Sequence, residues 1–263
     1  MRILALVMQV PDSRATIRVA PDGLSIDSSS VTLVCNPFDE YAIEQAVRLK
    51  ESRNDVQDVT ALTVGGSTAA QALRTALAMG ADRAIHVCDE ESPAHDELFQ
   101  AEVAAAAIRR DTKGFDLILC GKQTIDRDAG ELGPALAEFL GWPHVGAVAR
   151  LELADDASTL RAHRRVEGAE EIIESPLPVL ITCEKGLVEP RYPTLPNLIK
   201  AKSKPMETLT GADLPGLDTR GAGTTLVRLS PPPPQPPCRM VDGEPQQMAR
   251  ELVRLLRLEA KVV

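Results

Sequence analysis

Aromatic residues are scarce. Phe, Trp and Tyr together make up 3% of the 263 residues, which excludes the stacking platforms that hold single-stranded nucleic acids. Basic charge is in deficit as well: 29 Lys and Arg stand against 38 Asp and Glu, a formal net charge of −9. A general nucleic-acid binder neutralises phosphates with clustered cations, so this balance argues against one. Cysteine is sparse and scattered. Cys35, Cys88, Cys120, Cys183 and Cys238 form no CxxC pair, and their number is odd. That pattern excludes a disulfide frame or a paired zinc spacing and points to free thiols in a reducing compartment. No apolar run is long enough to span a membrane, and the opening MRILALVMQV meets Pro11 and Asp12 with no cleavage pattern. A cytoplasmic protein without membrane insertion is expected. The four histidines, His86, His95, His144 and His163, sit in no HExxH and beside no GxSxG, so the chain shows no obvious nucleophile, general base or metal site.

What is present is ordinary globular composition, 44% hydrophobic and 25% charged, in a length that suits one large α/β domain or two modest ones. Short apolar runs at 3–10, 31–35, 59–64, 84–87 and 115–120 read as strands. Residues 13–30, with Asp22-Gly23 and the Ser28-Ser29-Ser30 cluster, read as a short hairpin and loop. Helical spacing marks 39–53, 68–79 (with Ser67 as cap and Gly80 as terminator), 97–110 and 131–140. Strand and helix alternate, with turns at Gly, and the strands are apolar on both faces. Together these predict βαβ units in a parallel sheet covered by helices. Past residue 145 the texture changes. Strands are expected at 145–154, 160–166 and 178–183. Residues 189–205 carry four prolines with few strand or helix signals, and 206–237 read as loop, including SPPPPQPP. Residues 244–259 form an amphipathic helix, with Met248, Leu252, Leu255 and Leu256 spaced three and four apart.

Ligands of doubly wound sheets bind beyond the carboxyl ends of strands, where the strand order switches. Three expected strand ends suit a mononucleotide there: the segment 6–9, Val64-Gly65-Gly66, and GKQTIDRDAGELGP at 121–134. Gly allows backbone amides to approach a phosphate, and a following helix start adds partial positive charge. Each part has a plainer reading. The Gly pair also serves as a simple strand-to-helix turn, Asp126 and Asp128 as helix-capping acids, and GKQ lacks the Walker A frame. A second candidate is EPRYPTLPNLIKAKSKP at 189–205, where Leu195 stands between prolines among Arg191, Lys200, Lys202 and Lys204. It reads either as a partner anchor with steering charges or as a solvated loop.

Six ordered blocks resemble the beta subunit of electron transfer flavoprotein along nearly the whole chain: VMQVPD (7–12), NPFDEYAIEQAVRLKE (36–51), ALRTALAMGADRAIHV (72–87), GKQTIDRD (121–128), LPVLITC (177–183) and EPRYPTLPNLIKAKSKP (189–205). The resemblance implies an α/β parallel-sheet nucleotide-binding domain of adenine nucleotide hydrolase-like fold over 1–205, including a partner-docking loop at 189–204. Residues 206–263 become a proline-rich linker and a C-terminal helical arm against an alpha subunit. It implies one half of a heterodimer that takes electrons from flavin dehydrogenases, such as acyl-CoA dehydrogenases, and passes them on without itself being a catalyst. FAD is shared with the alpha subunit. AMP, or a second FAD in the electron-bifurcating group, occupies the beta-subunit site. Carried over residue by residue, that nucleotide site falls on Leu6, Asn36, Pro37, Phe38, Asp39, Val64, Gly121, Lys122, Gln123, Thr124, Ile125, Asp126, Arg127, Asp128, Ala129, Gly130, Glu131 and Leu132. The docking residues fall on Glu189, Pro190, Arg191, Tyr192, Leu195, Pro196 and Lys200.

Some positions depart from the family pattern. Met8 stands where the family often has Lys, and Arg127 where Asp or Gly is usual. Gly130, Glu131 and Leu132 replace the Asn, Gln and Thr of AMP-type carriers. Glu131 places negative charge where a phosphate is expected, and Coulomb repulsion disfavours a dianion there. Arg165 stands where an acid often approaches the flavin domain. Gly133-Pro134 and the ending EAKVV are similar to the bifurcating branch, in which the Arg127 guanidinium would face a diphosphate.

Overall fold

A computed structural model describes residues 1–27, 29, 31–90, 96–214, 217, 223–234 and 237–263. Ser28, Ser30 and His95, named above, lie outside the described residues. Contacts divide the chain into two units, 1–229 and 230–263.

The first unit is built on a nine-stranded sheet. Its strands are β1 (Arg2–Leu6), β4 (Asp58–Gly65), β5 (Arg83–Cys88), β6 (Leu117–Gly121), β7 (His144–Leu153), β8 (Thr159–Val166), β9 (Ala169–Pro176), β10 (Val179–Cys183) and β11 (Met206–Leu209). They run in the order β11-β5-β4-β1-β6-β10-β7-β8-β9. From β11 to β7 every pairing is parallel; β7-β8-β9 close the other edge antiparallel. The parallel α/β expectation holds, and the apolar runs are apolar for the reason expected. Ile3 and Ala5 enter one core, on the face of α1 (Pro37–Ser52) and α2 (Ala70–Met79), while Leu4 and Leu6 enter a second. The second core lies on the face of α3 (Glu97–Arg110) and α4 (Leu132–Leu140).

Several elements differ from the sequence reading, each for a physical reason. The run at 3–10 is two strands. After β1 the chain leaves the sheet, and β2 (Gln9–Pro11) pairs antiparallel with β3 (Leu33–Cys35) as a separate ribbon. Among its described residues, the hairpin expected within 13–30 contains one bridge, Val19 to Ile26. Helix α1 begins at Pro37, whose fixed φ and missing N–H suit a first turn. Ser67 does not cap α2. It opens a 3₁₀ turn, Ser67–Ala69, and its amide is met by Glu90. Gly80 ends α2 as expected, at φ +141°.

Two strands and one helix were not anticipated. β9 is a polar edge strand, AEEIIESP, held by cross-strand Arg161–Glu174 and Arg164–Glu171 pairs. Its alternation is hidden because neither face is fully buried. Residues 189–205 include α5 (Leu195–Ala201), capped by Thr194, with Pro196 in the first turn where no N–H is needed. β11 lies in the stretch read as loop. Four residues carry little pattern, but their register against β5, from Met206–Ala84 to Leu209–Val87, makes them the sheet's edge. The compact unit therefore runs past the expected boundary at 205.

The second unit, 230–263, contains α6 (Pro245–Leu255), continued by a π turn at Leu256–Ala260. No residue of α6 is buried.

Candidate functional site

The chain lays down β1, β4 and β5 outward in one direction, then returns to place β6 on the other side of β1. The strand order therefore switches between β1 and β6, and doubly wound sheets bind ligands beyond the carboxyl ends at such a switch. Of the strand ends picked out by sequence, 6–9 and 121–134 meet here, joined through 36–39, which the resemblance added. Leu6 and Val64 close the strand ends as buried core residues.

Asp39 joins the two strands at the switch. Its Oδ2 accepts from the Met8 amide at 2.7 Å and its Oδ1 from the Gly121 amide at 2.8 Å. The side chain is 2% exposed, and burial pushes its carboxyl up to about 7, although those amides and the Asn36 side chain favour the charged form. Gly121 is required at this contact. A Cβ there would lie 2.5 Å from Asp39 Oδ1 and 2.6 Å from Phe38 Cβ.

Asn36 stands at the N-cap of α1 but does not cap it. Its Nδ2 donates to the Gln123 carbonyl at 3.0 Å, and its Oδ1 accepts from the Ile125 amide at 3.3 Å. The 121–131 loop is thereby fastened to the start of α1. Within the loop the Thr124 amide donates to the Ala129 carbonyl (3.0 Å), and Gln123 Nε2 donates to Asp128 Oδ1 (2.8 Å). Asp128 has φ +51°, a left-handed conformation that Asp tolerates. A Cβ on Gly130 would come within 2.9 Å of the Lys122 carbonyl. Lys122 Nζ pairs with Glu184 at 2.5 Å and lies 5.5 Å from the Phe38 ring centre. Pro37, Asp126, Arg127, Asp128 and Glu131 are exposed at the rim.

Two polar features stand out. The Thr124 hydroxyl is buried and has no hydrogen-bond partner. The N-terminus of α4 is already occupied: Glu97 Oε2 accepts from the amides of Glu131 at 3.1 Å and Leu132 at 3.2 Å. Burial raises the Glu97 carboxyl, and those two amides oppose the rise. The turn after β4 has the same arrangement. Glu90 Oε1 accepts from Ser67 N at 2.9 Å, and a Cβ on Gly66 would lie 2.8 Å from Glu90 Oε2.

The second candidate segment is held by α1. Arg191 donates to Glu44 through Nε (2.7 Å), Nη2 (3.1 Å) and its backbone amide (3.2 Å), and to Glu51 through Nη1 (2.6 Å) and Nη2 (2.8 Å). The Glu44 side chain is 1% exposed. Burial would raise its carboxyl, yet Arg191 and Arg48 hold it below its usual range. Arg48 also donates to the Glu189 carbonyl at 3.0 Å. Beyond this clamp Tyr192 is 95% and Leu195 71% exposed, with Leu198 and Ile199 exposed beside them. Pro196 and Lys200 are exposed on the same helix, and Pro190 is half-buried.

The sequence profile of the electron transfer flavoprotein domain matches residues 23–214. The chain is 38% identical to the electron transfer flavoprotein subunit beta of Bacillus subtilis over the full length of both. It is 38% identical to the mitochondrial subunit beta of Oryza sativa subsp. japonica, again over all of both chains. It is also 38% identical to the Homo sapiens subunit beta over 88% of this chain and 89% of that one. This chain belongs to the electron transfer flavoprotein beta-subunit family.

For a member of this electron-transfer family, the switch can be tested against an adenine nucleotide. The Thr124 hydroxyl gives the nucleoside end no support, because the protein itself encloses it. A phosphate on the α4 N-terminus does not fit, because the amides it would use are bonded to Glu97. The sequence reading named Asp39, Asn36, Thr124 and Arg191 but missed Glu44, Glu90, Glu97 and Glu184. Glu90, Glu97 and Glu184 reach their partners from another element, and Glu44, although it pairs with Arg48 one turn along α1, reaches Arg191 the same way, so local spacing carries no signal for these contacts. Among the described residues no group of His, Cys, Asp and Glu is placed to hold a metal ion, and no helix is long and apolar enough to cross a membrane.

Proposed function

We propose that this chain is the β half of a heterodimeric electron carrier. With an α subunit it accepts electrons from flavin dehydrogenases, such as acyl-CoA dehydrogenases, and passes them on. The observation that carries this reading is the docking segment. An exposed apolar group around Leu195 opens α5 just past Arg191, which a buried carboxylate holds. Exposed apolar anchors on a preorganised loop suit a partner's pocket, and Lys200 on the same short helix adds steering charge toward an acidic face.

FAD shared with the α subunit supplies the electron-accepting chemistry. The residues of this chain seat an adenine nucleotide at the β1/β6 switch, where Asn36 and Asp39 order the loop. The C-terminal unit, with its uncovered amphipathic helix, serves as the arm that holds the α subunit. A second reading is favoured by the charges at the start of α4. Glu97 and Glu131 disfavour the dianionic phosphate of AMP, and a second FAD, as in bifurcating carriers, brings only one charge per phosphate.

The experiment is nucleotide release from the chain co-expressed with its α subunit. After denaturation, one FAD and one AMP per complex would support the carrier reading, and two FAD without AMP the bifurcating one. Absence of a heterodimer and of any released flavin would overturn both.

A further inference from the structure

Three carboxylates of this chain line the carboxyl edge of the sheet, and each occupies backbone amides that a phosphate would otherwise use. Asp39 takes those of Met8 and Gly121, Glu90 that of Ser67, and Glu97 those of Glu131 and Leu132. The unsatisfied buried group among the loop residues is the neutral hydroxyl of Thr124. An edge so furnished has its anions built in.

We propose that Glu97 is a specificity-determining residue: by occupying the N-terminus of α4 it stands as an internal anion, so that the site takes the nucleoside and rejects a terminal phosphate monoester on it. This rests on the nucleotide-site reading above. Glu97 opens α3, and the amides it binds open α4, so the contact joins two helices that pack on the same face of the sheet. A phosphate dianion must displace this carboxylate to reach the amides, or bind beside it and beside Glu131, whose side chain is exposed at the same helix start. Either route sets like charges within a few ångströms in partly desolvated surroundings, where repulsion is strong, and the Arg127 charge that acts there is already opposed by Glu97. The helix dipole does not compensate, because the carboxylate already bonded to it uses that attraction.

The test is titration of adenosine and of AMP into the full-length chain freed of nucleotide, as wild type, Glu97→Ala and Glu97→Gln. In the wild type AMP is expected to bind no more tightly than adenosine. Glu97→Ala frees both amides, and Glu97→Gln leaves an oxygen there without the charge. The ratio of AMP to adenosine affinity is expected to rise about tenfold in the first and by part of that in the second, with adenosine affinity unchanged. Wild-type protein that binds AMP more than about tenfold tighter than adenosine would overturn the proposal without recourse to any variant. An equal ratio in all three proteins would overturn it too, while leaving the nucleotide site in place. Binding of neither ligand by any of them would remove the nucleotide site itself, and this inference with it.

Discussion

Asp39 shows how much one side chain can organise. It is buried, has no ion pair among the described residues, and bridges the Met8 amide just past β1 and the Gly121 amide that ends β6. Its carboxyl is pushed from an ordinary 3.8 up to about 7. Between those values the folded chain holds a proton that the unfolded chain has lost. The stability due to this group is therefore fully present below the lower value and is lost as pH rises through the upper one. Asn at this position can accept one amide but must point its NH₂ at the other. Asp39→Asn is expected to cost about 1–3 kcal/mol at about pH 5 and less at about pH 8, where the wild type carries a buried charge. Urea unfolding at the two pH values measures this, and a cost independent of pH would show that Asp39 does not titrate in that window. Gly121→Ala tests the same contact sterically. A Cβ would fall 2.5 Å from the carboxylate and 2.8 Å from the Phe38 carbonyl carbon, so a loss of about 1–3 kcal/mol is expected from overpacking. Wild-type stability in that variant would mean that α1 shifts freely. Asp39 and Gly121 were both named as candidate site residues. Their bond was not, because 82 positions separate them.

At the scale of elements, α1 is a strut. Its first turn holds the 121–131 loop through Asn36 and Asp39, and its middle and last turns hold the proposed docking segment through Glu44, Arg48 and Glu51. Glu44→Ala leaves Arg191 with the exposed Glu51 alone. Because Arg191 is partly solvated, the expected loss is about 1–3 kcal/mol, below that of a fully buried pair. The docking segment should also gain mobility, read as faster amide exchange at Arg191 and Tyr192. Unchanged exchange would show that the clamp does not order the loop. Leu195→Ala removes an exposed side chain, so stability should move by less than about 0.5 kcal/mol. Electron acceptance from the dehydrogenase is expected to weaken while bound FAD is retained; reduction kinetics with the dehydrogenase in excess, beside flavin content, separate the two. Lost flavin or undiminished transfer would count against docking. That a loop lies here was readable from its prolines. The helix α5 within it was not, since Pro196 looks like a breaker until it is placed in a first turn.

For the whole molecule, contacts separate 1–229 from 230–263. The sheet and both of its cores lie in the first unit. A chain ending at Leu229 is therefore expected to fold, with an unfolding midpoint within a few degrees of the full chain. It is also expected to lose binding to an α subunit by about tenfold or more, since an uncovered amphipathic helix is a natural anchor. Thermal melts and co-purification check both, and full binding by the shortened chain would remove the arm's role. By itself the sequence determined the class of fold, the alternation of elements and the segments that meet at the switch. These follow from local periodicity, turn residues and apolar runs. Only the tertiary structure decided that β9 and β11 are the sheet's edges, that Glu44 clamps Arg191, and that Glu97 sits on the start of α4. Edge strands are half-solvated and carry weak patterns. A carboxylate's partner is chosen by which distant amide or guanidinium the packing brings within about 3 Å, a distance at which hydrogen bonds form and over which sequence spacing has no say.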